Sequence, residues 1–177
     1  SGLEHYADIP PLIPMTRNDW PTLSQMILTG KRAVMFMDYN ANQTEVPYIL
    51  DQYTQLWETP FSPTDPSFPC TIERPPGIND EQADQRMYLA NHNLNIALEI
   101  SGTEILIPNF ANLTEVNADN GTAGLGTMAR ECRSMWGRPP NFLVVDFYDV
   151  GNGSVFEVAA QMNMRCMVQT ERPQMEM

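Results

Sequence analysis

The sequence has few basic residues. Lysine and arginine together number 10 of 177 residues, against 22 aspartates and glutamates, and the formal net charge is −12. A chain of this charge repels polyanions, because it has little positive charge with which to neutralise phosphates. We therefore expect no nucleic acid among its partners.

Long apolar runs are also missing. No stretch approaches the roughly 20 apolar residues that a membrane-spanning helix requires. The chain opens on Ser-Gly without the pattern of a signal peptide, and residues 164–177 form a polar C-terminal tail. We expect no stable membrane anchor.

Cysteine and histidine are scarce. The three cysteines, Cys70, Cys132 and Cys166, have no CxxC spacing and no nearby histidine pair, so no zinc site is expected. We also expect no other metal and no cofactor. The two histidines, His5 and His92, do not make a convincing acid/base pair. The absence of GxGxxG, P-loop, GxSxG and HExxH motifs removes the usual markers of nucleotide, serine-hydrolase and zincin chemistry.

What is present predicts a folded, secreted domain. The chain is 42% hydrophobic and carries both signs of charge, which argues against disorder. Four N-x-S/T sequons predict glycosylation and an extracellular location, although single sequons also arise by chance. They begin at Asn42, Asn112, Asn120 and Asn152.

Apolar runs that end abruptly in polar residues predict three buried strands, at residues 33–37, 87–90 and 142–145, and a weaker strand near 55–58. Helices are predicted at 15–30, 46–57, 79–86, 125–136 and 155–163, and an irregular segment at 95–124. This order predicts an α/β fold with a parallel sheet. Since an eight-stranded barrel takes about 250 residues, we expect half a barrel or a small open α/β domain.

Asp38, His92 and Asp146 follow the carboxyl ends of the predicted strands, where ligands bind in parallel α/β folds. They are the candidate catalytic residues. The alternative is that each caps a strand or a following helix, and His92 fits a hydrogen-bonded wall residue better than a proton shuttle. Asp38 and Asp146 could also form a carboxylate pair of the glycosidase type.

The segment 136–140, WGRPP, combines an aromatic ring with a guanidinium between rigid neighbours. Trp136 and Arg138 are therefore candidates for binding a phosphate or a sugar ring. The alternative is a rigid turn between a helix and a strand.

Several runs carry a resemblance to a known family. They are WPTL at 20–23, GKRAVMFMDYN at 30–40, WETPF at 57–61, LANH at 89–92, WGRPPNF at 136–142, VDFY at 145–148 and GSVFEVAA at 153–160. Together they resemble the C-terminal half of secreted fungal PLC-like phosphodiesterases, which are relatives of phosphatidylinositol-specific phospholipase C with a TIM-barrel fold. The resemblance covers residues 1–163, and the tail at 164–177 departs from it.

The resemblance implies that the chain supplies the later four βα units of a (β/α)8 barrel. In such enzymes two histidines on the early strands, absent here, do acid/base work on a phosphodiester. Asp146 matches best the carboxylate that orients an upstream histidine, with Asp38 and His92 beside it. Arg138, Trp136, Tyr148 and Asn91 would bind substrate. Some relatives use calcium, but no acidic cluster here demands it.

Half a barrel leaves strand edges and an apolar sheet face uncovered. We therefore expect a partner, either the N-terminal half of the same barrel or a second copy of this chain. The competing function is a secreted, non-catalytic binding or structural protein that retains the fold. We further predict that Cys70 pairs with Cys132, which leaves Cys166 free or paired outside the chain.

Overall fold

The structure is a computed structural model that describes Ala7 and residues 15–163. Its elements follow in chain order: α1 (Leu23–Thr29), β1 (Met35–Met37), β2 (Ile49–Asp51), α2 (Gln52–Gln55), β3 (Leu56–Glu58), α3 (Asp80–Asp84), β4 (Met87–His92), β5 (Asn95–Ile100), β6 (Thr103–Pro108), a 3-10 turn (Phe110–Asn112), α4 (Leu113–Val116), α5 (Leu125–Trp136), β7 (Phe142–Val145) and α6 (Ser154–Met162).

The strands form three small sheets. The central sheet has the order β3-β4-β7 and is parallel throughout, with Glu58 opposite Leu89 and His92 opposite Val145. β1 and β2 form a parallel pair, and β5 and β6 an antiparallel hairpin. The predicted α/β class with parallel strands is confirmed. Within the described residues these sheets do not close into a barrel.

The hydrophobic core lies between one face of the central sheet and the helices α5 and α6. Strand side chains alternate between faces, and Trp57 and Tyr88 stack on this face with ring centroids 4.6 Å apart. Trp136 packs against Trp57 at 4.8 Å. A disulfide between Cys70 and Cys132 ties the proline-rich loop after β3 to the middle of α5.

The opposite face of the central sheet, which we call the inner face, carries the alternate residues. Its lower part is apolar, with Leu56 and Met87 buried and Phe142 in edge contact with Phe36 of β1 at 6.3 Å. Its upper part, at the carboxyl ends of the strands, carries Glu58 and Asn91. The strands therefore hold polar groups above an apolar floor.

Several predicted elements are confirmed. The helix at 125–136 has the predicted bounds, and strands form at residues 35–37, 56–58, 87–92 and 142–145. The first helix is shorter than predicted, because Thr22 and Gln25 form a capping box and Leu23 becomes its first residue. Gly30 ends this helix in the left-handed conformation at φ 73°.

The predicted helix at 46–57 is wrong. The segment instead forms β2, the four-residue helix α2 and β3. Its apolar residues fit a helical spacing, but pairing with β1 and β4 buries Leu50, Leu56 and Trp57 completely or nearly so. Tertiary pairing has outweighed the local helical pattern.

The prediction of an irregular segment at 95–124 is also wrong, since β5 and β6 form a regular hairpin there. One of its faces carries five aliphatic side chains, each between 37% and 55% exposed: Ile96, Leu98, Ile100, Ile105 and Ile107. The other face places Glu99 directly opposite Glu104. Leu94 O accepts from Asn109 N at 2.8 Å and closes the base of the hairpin.

Candidate functional site

The polar residues of the inner face meet at the carboxyl edge of the sheet. Glu58 ends β3, and Asn91 lies one residue before the end of β4. Asp146 follows β7 directly and continues the alternation that places Val144 beside Asn91. The parallel register thus brings an amide and two carboxylates from three strands to one edge, where ligands bind in parallel α/β folds.

Glu58 has several side-chain partners at this edge. Its side chain is only 3% exposed and forms an ion pair with Arg74. The Tyr53 hydroxyl donates to Glu58 Oε1 at 2.7 Å, and Asn91 Nδ2 donates to Oε2 at 3.2 Å. Burial and the hydrogen bond to Glu58 raise the pKa of Tyr53, so its hydroxyl remains a donor.

Arg74 reaches this carboxylate from the long loop after β3. It forms an antiparallel bridge with Glu58, in which Glu58 N donates to Arg74 O at 2.8 Å, so the two side chains share a face. Its guanidinium carbon lies 3.7 Å from the centre of the Phe61 ring and 5.7 Å from that of Tyr53. Arg74 is therefore fixed by an ion pair and by two aromatic rings.

Asn91, a predicted substrate-binding residue, lies within the same network. Its amide nitrogen also donates to Thr59 O at 2.9 Å, and its backbone N–H donates to Thr59 Oγ1 at 2.9 Å. Asn91 is 6% exposed. These bonds lock β4 to the start of the loop after β3.

Asp146 lies in a loop that one buried side chain organises. Asn117 Nδ2 lies 3.1 Å from both Asp146 O and Phe147 O and 3.3 Å from Val150 O, and Asn117 is fully buried. Partial burial raises the pKa of the Asp146 carboxyl. Tyr148, in the same loop, is exposed and packs edge-on against Phe156 at 5.8 Å.

His92 lies one residue beyond Asn91 and therefore on the helix side of the sheet. It is fully buried, with Nε2 2.9 Å from Val116 O and 3.1 Å from Ala123 O. Its ring packs against Phe68 with centroids 3.8 Å apart. This geometry is that of a wall residue, and its catalytic assignment stays a prediction. His5 lies outside the described residues.

The burial of His92 predicts a pH-dependent stability. Desolvation lowers the pKa of His92 from 6.5 to about 4. Between these two pH values His92 is therefore protonated in the unfolded chain and neutral in the folded chain. Stability from this residue is complete above about pH 6.5 and should fall by about 3 kcal/mol as the pH drops to about 4. Urea unfolding at neutral and acidic pH measures this loss.

The variant His92→Gln is the control, because it removes the titrating group. Its stability should fall less between the two pH values than that of the original chain. Equal losses in both proteins would show that His92 does not cause the acid sensitivity.

Arg138 and Trp136 lie at the amino ends of the strands, which we call the amino edge, whereas Asp146 lies at the carboxyl edge. Arg138 precedes β7, where its Nη2 donates to Arg86 O at 2.7 Å and its guanidinium lies 4.7 Å from the centre of the Tyr88 ring. Trp136 Nε1 donates to Cys70 O at 2.9 Å. The structure does not bring these two residues together with Asp146.

The other predicted positions are at the surface. Asp38 follows β1 and is exposed, and its charge contributes to the raised pKa of Tyr53. The asparagines of the four sequons are exposed as well, and their glycosylation stays a prediction: Asn42, Asn112, Asn120 and Asn152.

Sequence reasoning missed Glu58, Tyr53, Arg74 and Asn117. The WETPF run at 57–61 contains Glu58, and the predicted weak strand at 55–58 was the signal that could have placed it at a carboxyl end. Across Ala7 and residues 15–163, no group of three or more histidine, cysteine or acidic side chains could hold a metal ion. No helix in this part of the chain is long and apolar enough to cross a membrane.

Comparison with known proteins identifies the family. A model of the PI-PLC X domain matches residues 1–163. The chain belongs to the PI-PLC X family. A PI-PLC X domain-containing protein 1 of Arthroderma benhamiae is 36% identical over 164 residues, which cover 92% of this PI-PLC X chain and 50% of that protein.

An uncharacterized secreted protein of the same fungus is 56% identical over 165 residues, covering 92% of the chain and 37% of that protein. This PI-PLC X chain thus spans half or less of the length of these two relatives. No solved structure matches it.

Proposed function

We propose that this chain is the later half of a PLC-like phosphodiesterase barrel that acts on phosphoinositide-like substrates. The observation that carries the proposal is the convergence of Glu58, Asn91 and Asp146 on one face, at the carboxyl edge of parallel strands, in a chain of the PI-PLC X family. Carboxylates and amides at this position suit the hydroxyl groups of a polar head group.

In this proposal the acid/base histidines lie in an N-terminal half that completes the barrel. The two parallel sheets are later strands of that barrel, and the apolar floor of the inner face is part of its interior. Asp146 orients an upstream histidine, and its partial burial suits a carboxylate that holds an imidazole. Asp38, Asn91 and Tyr148 line the pocket, whereas Arg138 and Trp136 stabilise the amino edge.

We also propose that the protein is secreted. The relative with 56% identity is named a secreted protein, and the four sequon asparagines are exposed. The N-terminal half is the partner in this proposal, because both relatives are at least about twice as long as the matched region.

The experiment that tests the function replaces Asp146 with asparagine in the longer protein that carries both halves. We expect turnover of phosphatidylinositol to fall roughly 100-fold, since a misoriented base loses most of its contribution to proton transfer. Release of water-soluble head group measures the rate. The isolated 177-residue chain should show no turnover.

Asp149→Asn is the matched control, because Asp149 is exposed in the same loop. It should leave the rate unchanged. Robust turnover by the isolated chain would refute the placement of the histidines upstream. No turnover by the longer protein would instead favour a non-catalytic binding protein.

A further inference from the structure

The Glu58–Arg74 pair lies at the carboxyl edge of the central sheet, close to other carboxylates. A phosphodiester is anionic, yet Asp38, Glu58 and Asp146 all carry carboxylates at or beside this edge. Their charges repel an anionic ligand unless a cation is present. Arg74 brings a guanidinium to the same face.

The orientation of Arg74 leaves one side of its guanidinium available. Nε faces Glu58, and the ring of Phe61 covers one flat side at 3.7 Å. Within the described residues, Nη1 and Nη2 have no hydrogen-bond partner, and the side chain is 27% exposed. A guanidinium has a planar fork of donors that matches two oxygens of a phosphate group.

The surroundings of Arg74 hold that fork in place before a ligand arrives. Glu58 is itself fixed by Tyr53 and Asn91, and the backbone bridge between Glu58 and Arg74 sets the position of the arginine. The other arginines with described ion pairs are engaged elsewhere: Arg17 and Arg138 with Asp84, and Arg130 with Asp119. Pre-organisation of this kind lowers the entropy cost of binding.

We propose that Arg74 is an anion-binding residue of this site, whose Nη1 and Nη2 donate to phosphate oxygens while Glu58 and Phe61 hold the guanidinium in place. The ligand chemistry is a phosphate group, either free or within a head-group diester. This inference rests on the proposed function for the choice of ligand and adds a residue from the loop after β3 to the site.

The test measures binding of inorganic phosphate and of glycerophosphoinositol to the 177-residue chain by nuclear magnetic resonance titration at constant ionic strength. Arg74→Gln should weaken phosphate binding about tenfold or more, because two hydrogen bonds from the charged guanidinium to the phosphate are lost. Arg74→Lys should retain part of the affinity. Tighter binding of one ligand than of the other identifies the source of the phosphate.

Arg130→Gln is the matched control, since it removes the same charge from an ion pair on α5. It should bind phosphate like the original chain. Because Arg74→Gln leaves Glu58 unpaired and could impair folding, the double variant E58Q/R74Q removes both charges together. Folding of each variant is checked by circular dichroism, and the double variant should also have lost phosphate binding.

Failure of this inference is distinct from failure of the proposed function. Unchanged phosphate binding in a folded Arg74 variant, or no binding by the original chain, overturns the inference while turnover by the longer protein can still establish the function. Binding that depends on Arg74, without any turnover by the longer protein, supports the anion site and contradicts the phosphodiesterase.

Discussion

Replacing Glu58 with alanine should destabilise the chain by about 3–5 kcal/mol. The carboxylate is 3% exposed and accepts hydrogen bonds from Tyr53 and Asn91 while it pairs with Arg74. Alanine leaves the Tyr53 hydroxyl and the Arg74 guanidinium without this acceptor, and the guanidinium is charged and only 27% exposed. Asn91 Nδ2 keeps only its bond to Thr59 O. Urea unfolding followed by tryptophan fluorescence measures the loss, since Trp57 precedes Glu58 in the core.

Two variants separate the burial of Glu58 from its charge. Glu104→Ala, on the exposed hairpin, removes a carboxylate from the surface and should change the stability little. Glu58→Gln keeps the shape of the side chain and some of its hydrogen bonds. Its loss of stability should lie between those of Glu58→Ala and Glu104→Ala. A loss below about 1 kcal/mol for Glu58→Ala would mean that the network is not formed as described.

Reduction of the disulfide between Cys70 and Cys132 should lower the free energy of unfolding by about 4 kcal/mol. The bond joins residues 62 positions apart and so restricts the unfolded chain strongly. Both cysteines are buried in the native core. Thermal unfolding with and without a thiol reductant measures the difference.

The double variant Cys70→Ala, Cys132→Ala provides the control for reduction. It should be as unstable as the reduced original chain, apart from small packing changes, and should not respond to the reductant. If the oxidised and reduced chains unfold at the same temperature, the bond contributes nothing to stability.

The sequence predicted the parallel strands because each is an apolar run that stops at polar residues. This pattern placed β4 and β7 and, with them, Asn91 and Asp146 at the carboxyl edge. The spacing of apolar residues gave a wrong prediction at 46–57, where it indicates a single helix. The segment forms two short strands on either side of one helical turn, and their apolar residues happen to have helical spacing. The pairing partners that decide between the alternatives are distant in sequence.

The local sequence does contain a pattern that indicates the hairpin at 95–108. Two short runs rich in isoleucine and leucine flank Ser101-Gly102, and Glu99 and Glu104 interrupt them next to it, which is the pattern of two strands and a tight turn. Pro108 argues against a central strand at this position, because proline cannot donate a backbone hydrogen bond. The proline lies at the end of β6, where the loss of a donor costs little.

The Glu58–Arg74 pair could not be predicted from the sequence in the same way. The two residues are separated by a loop rich in proline, and nothing in its local pattern indicates that the chain returns to β3. The bridge between them arises from tertiary structure. The rigid neighbours of Arg138 predict a binding guanidinium there, but its Nη2 donates to Ala83 O and Arg86 O at the amino ends of the strands.

The hydrogen-bonded base of the hairpin allows the length of β5 and β6 to change with little effect on the rest of the structure. Asn109 N donates to Leu94 O at this base, and Asn95 N donates to Pro63 O beside it. The residues beyond Asn95 could therefore be shortened to a tight turn or extended by grafted sequence. Such changes would shift neither His92, which precedes the junction, nor Asn117, which follows it. We therefore expect this hairpin to tolerate insertions and deletions.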